Sequence, residues 1–328
     1  CVFCVWVFCV FYKNEFTKKN IFSKPSGMSI SRVVAITGCD SGLGWAIAAR
    51  AAREGLITVA GMYQGTDTKA AEALKKLQAH PYKLDVTDAE SVADFRNYVN
   101  NLLENNPNYK LHAVVNNAGV MTIGNFEWLT FNMVHNMVNV NLLGAMRVAS
   151  AFLPDLRRSA KEPRIINVAS HCGLQPLPGF GAYSASKAGI IAWTKALRLE
   201  HSGHGVAALS FVPGGFITSS NIIGDQMTNG KAMIENLTTE QKLFYEKQIV
   251  ITSKYLGSAS TQVSSFDSLK DINITETFMK ALMHNDPQEL YKVESWRYMF
   301  YYNLMKLPFP EIVHQWIIKN FLSFPEVE

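Results

Sequence analysis

The sequence predicts a doubly wound, three-layer α/β fold built on a parallel sheet, and three observations carry that expectation. From Ser31 onward, short apolar runs rich in β-branched residues alternate with longer amphipathic stretches, the pattern of strands buried on both faces and joined by crossover helices. A glycine-rich loop, Thr37-Gly38-Cys39-Asp40-Ser41-Gly42-Leu43-Gly44, joins the first apolar run directly to a helix-compatible stretch. No internal repeat or low-complexity block interrupts the alternation, so one domain over residues 28–328 accommodates it.

The elements follow in order. Strands are expected at 33–36, 57–60, 82–84, 113–115, 164–168 and 207–211, with helices such as 44–54 and 68–78 between them. After Gly214 the alternation weakens, and 221–265 is a mixed, polar stretch rich in Thr, Ser, Lys and Asn. In an open α/β sheet this segment lies beyond the carboxyl ends of the late strands, so it is expected to be a helical substrate lid. The C-terminal extension, 290–328, is dense in aromatic and aliphatic residues around Leu307-Pro308-Phe309-Pro310 and the run that follows. Core, oligomer contact and interfacial membrane helix are the three readings it allows.

Residues 1–27 form a separate hydrophobic and basic segment: a run from Cys1 to Tyr12, then Lys13, Lys18 and Lys19. About a dozen apolar residues fall short of the ~20 that span a bilayer. The segment reads either as part of a membrane anchor or as leader sequence upstream of a start at Met28.

Composition narrows the function classes. With 48% apolar and 18% charged residues the chain is of ordinary globular type. A net charge of +4 without a dominating Lys/Arg run leaves no footprint for nucleic acid. Cys1 and Cys4 are spaced like metal ligands but have no second pair or nearby His, so no metal is expected, and the five cysteines lack the spacing of a disulfide framework.

The Thr37–Gly44 loop carries the first chemistry. Glycines between a strand and a helix permit a tight turn, let the backbone approach a pyrophosphate, and leave its charge on the helix N-terminus. The second strand ends Gly61-Met62-Tyr63 without an acid to hold a ribose hydroxyl. Asp40 in the loop would repel a 2′-phosphate, and no Lys or Arg stands in the loop to pair with one, so NAD is favoured over NADP. Lys69 is the one residue against that preference, although a solvated helix charge is its ordinary role.

Down the chain, in order, come the Thr37–Gly44 loop, Leu84-Asp85-Val86-Thr87, Asn116-Asn117-Ala118-Gly119, Val140-Asn141, Ser170, Tyr183-Ser184-Ala185-Ser186-Lys187 and Pro213-Gly214. This series resembles the motifs of the short-chain dehydrogenase/reductase family over roughly Ser31 to Ser220, and so implies a Rossmann fold. The resemblance implies cofactor contacts from Gly38, Asp40, Ser41, Gly42, Leu43 and Gly44. Asp85 and Val86 would meet the adenine, while Asn117, Ala118 and Gly119 would border the cofactor. Tyr183, Lys187, Pro213, Gly214 and Thr218 would lie toward its nicotinamide end. Catalysis would fall to Ser170, Tyr183 and Lys187, with Asn141 bracing the helix and a water behind Lys187.

Elementary chemistry supports those assignments. Tyr183 and Lys187 are four apart in a helix-compatible stretch and share one face. A phenol of pKa ~10 is a poor base at neutral pH, and an ammonium beside it together with the positive nicotinamide is expected to lower that value. Ser170, just past the fifth strand, would hydrogen-bond the substrate oxygen and hold it in place. His171 and Cys172 suggest nucleophilic catalysis, but neighbours on a strand face opposite ways and no acid is evident to orient His171, so packing is the expected role.

The loop wording, Asn125-Phe126-Glu127-Trp128 and the aromatic C-terminus resemble the branch holding retinol dehydrogenases, 17β-hydroxysteroid dehydrogenases and 3-hydroxybutyrate dehydrogenase. That resemblance implies a small apolar alcohol or ketone as substrate, a membrane surface (endoplasmic reticulum first, with cytoplasm or mitochondrion as alternatives) and a homo-oligomer. A hydroxy-acid substrate would need a cation, and Lys231, Lys242 and Lys247 in the lid are the candidates. A catalytically silent dinucleotide-binding regulator is the alternative of a different class.

Overall fold

The computed structural model describes residues 30–159, 162–215, 221–223, 226–260 and 265–322; the 1–27 segment and Thr218 lie outside the described residues. The first half runs β1 (Ser31–Thr37), α1 (Gly42–Arg53), β2 (Ile57–Met62), α2 (Lys69–Lys76), β3 (His80–Lys83), α3 (Ala89–Asn105), β4 (Tyr109–Asn116), α4 (Phe131–Val138) and α5 (Ala145–Arg158). The second half runs β5 (Arg164–Val168), α6 (His171–Leu174), α7 (Gly181–His201), β6 (Ala207–Val212), α8 (Gln226–Asn236), α9 (Thr239–Ser260), α10 (Ile272–Met283), β7 (Leu290–Lys292), α11 (Trp296–Met305) and α12 (Glu311–Leu322).

The seven strands form one parallel sheet in the order β3-β2-β1-β4-β5-β6-β7, a doubly wound Rossmann arrangement. Strand β1 shows why its sequence is apolar throughout rather than alternating. Val34 and Ile36 enter a core with α1 and α10, while Val33 and Ala35 enter the opposite core with α3 and α5. Both faces of the sheet are therefore covered.

All six expected strands form. Strand β3 begins at His80, two residues before the expected start, and takes in Pro81, which an edge strand tolerates. Strand β7 was not expected. Three residues have no readable period; pairing with Ser210, Phe211 and Val212 makes this segment a strand. Its approach is held by the fully buried Arg164, whose Nη1 donates to Ala281 O (3.1 Å) and His284 O (2.9 Å) at the end of α10. A guanidinium there satisfies carbonyls that the helix end leaves open.

Helices α4 and α5 run together through a π-helical turn, Asn139–Gly144. Phe131–Arg158 is, among the described residues, the one helix long and apolar enough to cross a membrane. Its Val148, Ala149, Phe152 and Leu156 are buried in the core against the sheet, which marks it as a core helix.

The described part of the segment expected to be a lid forms α8 and α9. A third apolar cluster joins Met121, Phe180 and Tyr183 to Met233 and Ile249 of the lid and to Tyr302, Met305 and Ile317 of the C-terminal extension. The extension is thus partly core. Trp296, Phe300, Ile312 and Trp316 on the same two helices are exposed.

Candidate active site

One cleft of about 510 Å³ lies along the carboxyl ends of the strands. Its lining follows the topology: Gly38 after β1, Tyr63 and Gln64 after β2, Asp85 after β3, Asn117 after β4, Ser170 after β5 and Pro213 after β6. The chain order reverses beside β1, where a doubly wound sheet leaves a crevice.

The glycine loop is folded back on itself. Gly38 has φ +70°, and a Cβ at Gly44 would stand 2.0 Å from Gly38 O, so neither position accepts a larger residue without displacing backbone. Asn117 Nδ2 donates to Thr37 O (2.9 Å) and Gly38 O (3.0 Å), while Thr37 Oγ1 accepts from the N–H groups of Asn117 and Ala118, each at 3.0 Å. The Asn117 side chain therefore shapes the loop that would border the cofactor. Ser41 caps α1 without a side-chain bond to it, and Ser41, Leu43 and Gly44 turn the helix N-terminus toward the cleft.

Asp40 supplies what the second strand lacks. Its carboxylate accepts from the backbone N–H of Tyr63 (2.9 Å) and Gln64 (2.7 Å), which places an acid at the end of β2 from the neighbouring loop. Asp85 accepts from Thr87 N (2.8 Å) and Thr87 Oγ1 (2.7 Å) in a tight turn at the same end of the cleft. Lys69 is exposed on α2 and is not among the lining residues. A glycine cradle on a helix N-terminus, opening into an elongated cleft, fits a dinucleotide.

At the other end, Ser170, Tyr183 and Lys187 come together. Tyr183 and Lys187 stand one turn apart on α7, both buried, with Lys187 Nζ 5.9 Å from the Tyr183 ring centre. Lys187 Nζ donates to Val168 O at 2.9 Å. Ser170 caps α6, accepts from Cys172 N at 3.2 Å, and lines the cleft with Tyr183. Asn141 occupies the π-helical turn. Its Oδ1 accepts from Val120 N (2.8 Å), and its Nδ2 donates to Val120 O (2.9 Å) and Ser186 Oγ (3.0 Å), tying the β4 loop to α7. A π-turn is a frequent device where a side chain must be re-aimed at a site.

Burial adds a cost at Tyr183 and Lys187, and the expectation for His171 needs correction. Burial pushes the Tyr183 hydroxyl well above its ordinary pKa, only partly countered by the Ser170 hydroxyl, while burial lowers Lys187 to about 8. In the protein alone, desolvation outweighs the help expected from the ammonium. His171 does have an acid near it: Glu294 Oε1 lies 3.9 Å from Nδ1, and Nε2 meets Val293 O at 3.1 Å. The pair arises because residues 170 and 171 start α6 instead of continuing a strand, and because β7 carries Glu294 to the same place. The Cys172 thiol is held at about 11, chiefly by burial, so it is no nucleophile at neutral pH.

Residues 32–226, more than half the chain, match the family model for short chain dehydrogenases. The chain belongs to that family. Among curated relatives, it is 30% identical to D-beta-hydroxybutyrate dehydrogenase, mitochondrial, of Bos taurus over 71% of each chain. Retinol dehydrogenase 16 of Mus musculus is 31% identical over 84% of this chain and 85% of that one. Estradiol 17-beta-dehydrogenase 2 of Mus musculus is 31% identical over 69% of this chain and 59% of that one. A short-chain dehydrogenase from Burkholderia phymatum, solved with NAD, superposes with TM-score 0.61 at 23% identity, covering 80% and 89% of the two chains. This short-chain dehydrogenase is accordingly an oxidoreductase of CH–OH groups with a nicotinamide dinucleotide as its cofactor class.

Sequence reasoning missed the wall residues Met121, Phe180, Ile222 and Tyr298. Met121 and Phe180 stand close to motifs already read. Tyr298 had no local signal, since it comes from the C-terminal extension and enters the cleft only through tertiary packing.

Proposed function

We propose that this enzyme oxidises or reduces a lipid-like alcohol/carbonyl pair of the retinoid or steroid class. The observation that carries the reading is the lining of the substrate end. Val120, Met121, Phe180, Ile222 and Tyr298 form apolar and aromatic walls, and among the described lining residues Lys187 is the only cation. That ammonium already donates to Val168 O, and none of Lys231, Lys242 and Lys247 lines the cleft. A short hydroxy acid would bury its carboxylate here without a free cation among the described lining residues, which is costly.

In this reading Tyr183 is the general acid/base. Its buried, protonated hydroxyl is ready to donate to the oxygen of a carbonyl undergoing reduction, and in the reverse direction it takes the alcohol proton. The Ser170 hydroxyl holds the same substrate oxygen, and the Lys187 ammonium favours the phenolate as it forms. Asn141 keeps α7 and the Val120 loop in register. When bound, an oxidised nicotinamide dinucleotide supplies the hydride acceptor and a positive charge near the phenol. Asp40, fixed at the end of β2 with no cation beside it in the lining, supports NAD over NADP. The exposed Trp296, Phe300, Ile312 and Trp316 support docking of the extension on a lipid surface, where an apolar substrate would partition.

The test offers the full chain NAD or NADP with retinol, steroid alcohols and 3-hydroxybutyrate, following reduced-cofactor absorbance. Turnover of a lipid alcohol with NAD is expected, and turnover of short hydroxy acids alone refutes the reading. Tyr183→Phe is expected to abolish turnover and retain cofactor binding; a variant that still turns over removes Tyr183 from the acid/base role.

A further inference from the structure

Among its described residues, the C-terminal extension, outside the part of the chain that matches the family model, places one polar side chain in the cleft: Tyr298 of α11. Its ring packs on His171 (centroids 4.7 Å), Tyr302 (5.4 Å) and Phe321 (5.3 Å, nearly perpendicular), so its direction is set by three neighbours. The hydroxyl lies against the backbone at Gly215, 2.6 Å from where a Cβ would stand. Only a glycine leaves room for it. Tyr298 lines the same cleft as Ser170 and Tyr183 and packs in the same apolar cluster as Tyr183. It is half-buried and lines the cleft with Val120, Met121, Phe180 and Ile222 as well as Ser170, His171 and Gly215.

We propose that Tyr298 is a specificity-determining residue whose hydroxyl hydrogen-bonds a second oxygen on the substrate, distinct from the oxygen held by Ser170 and Tyr183. An alcohol with only one oxygen offers this phenol nothing to bond, whereas a substrate with a second hydroxyl or keto group near the carbinol carbon pairs with it in place of water. Within the lipid-like alcohols of the reading above, this narrows the substrate to one carrying a second oxygen near the carbinol carbon, and it rests on that reading for the identity of the reacting oxygen. His171 is a positioning residue here: its Nε2 donates to Val293 O, and its ring supports Tyr298 from below.

The experiment compares a medium-chain secondary alcohol with the matching vicinal diol. Binding of each to the full chain is measured by calorimetry with reduced nicotinamide cofactor present, so that no alcohol is oxidised. The wild type is expected to bind the diol roughly three- to tenfold more tightly, the effect of one hydrogen bond. Tyr298→Phe keeps the ring and is expected to erase the preference while leaving the simple alcohol within about twofold. Gly215→Ala, which displaces the hydroxyl without altering the tyrosine, is expected to do the same. No diol preference in the wild type, or an unchanged preference in Tyr298→Phe, overturns the inference. An equal loss for both alcohols does so too, because it shows a packing role alone. Turnover is read separately: a preserved, Tyr298-dependent preference in a protein that oxidises no alcohol keeps this inference and removes the proposed function.

Discussion

Lys187→Met tests whether burial controls the charge at the candidate catalytic centre. Lys187 is 3% exposed, has Val168 O at 2.9 Å as its hydrogen-bond acceptor, and has a pKa lowered by burial from 10.5 to about 8. Between those two values the unfolded chain holds the proton and the folded chain does not. Stability therefore rises with pH across that window, by about 3 kcal/mol in total. Below pH ~8 both states are protonated and the whole penalty is present. Methionine has no charge to desolvate, so the variant should gain on the wild type most below pH ~8, an advantage shrinking by about 3 kcal/mol toward pH ~10.5. Urea unfolding of both proteins across that range, without cofactor, measures the difference directly. Parallel pH dependences would refute the reasoning and show that the ammonium is solvated in a way its burial does not suggest.

Three further substitutions test other links. Asp40→Arg removes the acid at the end of β2 and supplies a cation, so the ratio of kcat/KM for NADP to that for NAD should rise by at least about tenfold; an unchanged ratio would disconnect Asp40 from the ribose end. Asn117→Ala deletes the two hydrogen bonds that hold Thr37 O and Gly38 O, and cofactor affinity by calorimetry should fall about tenfold, with a smaller loss of stability. Arg164→Met leaves the last carbonyls of α10 without their donor, and denaturant unfolding should show a cost of about 2–4 kcal/mol.

Much of the fold was legible because its signals are local. A strand buried on both faces must be apolar along its length, as β1 is, and a strand-to-helix turn that bends back on itself must be built from glycine, as at Gly38 and Gly44. The motif residues Ser170, Tyr183, Lys187 and Asn141 were named from short words in the sequence; the fold brings the first three to one end of one cleft and buries Asn141 behind them, bonded to Val120 and Ser186. The pairing of Tyr183 with Lys187 required only the helical repeat of four residues.

What depends on chain segments far apart in sequence was not legible. Strand β7 exists because β6 offers it an edge, and its three residues have no period to show it. Asp40 reaches the end of β2 across 23 residues, so the acid missing from that strand is supplied by a loop that gives no sign of it. Glu294 meets His171, and Tyr298 meets Gly215, only after the C-terminal segment folds back over the site. The direction of the Tyr183 and Lys187 pKa shifts was likewise decided by burial, which depends on everything packed around them. Local backbone and side-chain preferences act over a few residues and can be read from the sequence; desolvation and long-range contact belong to the assembled core.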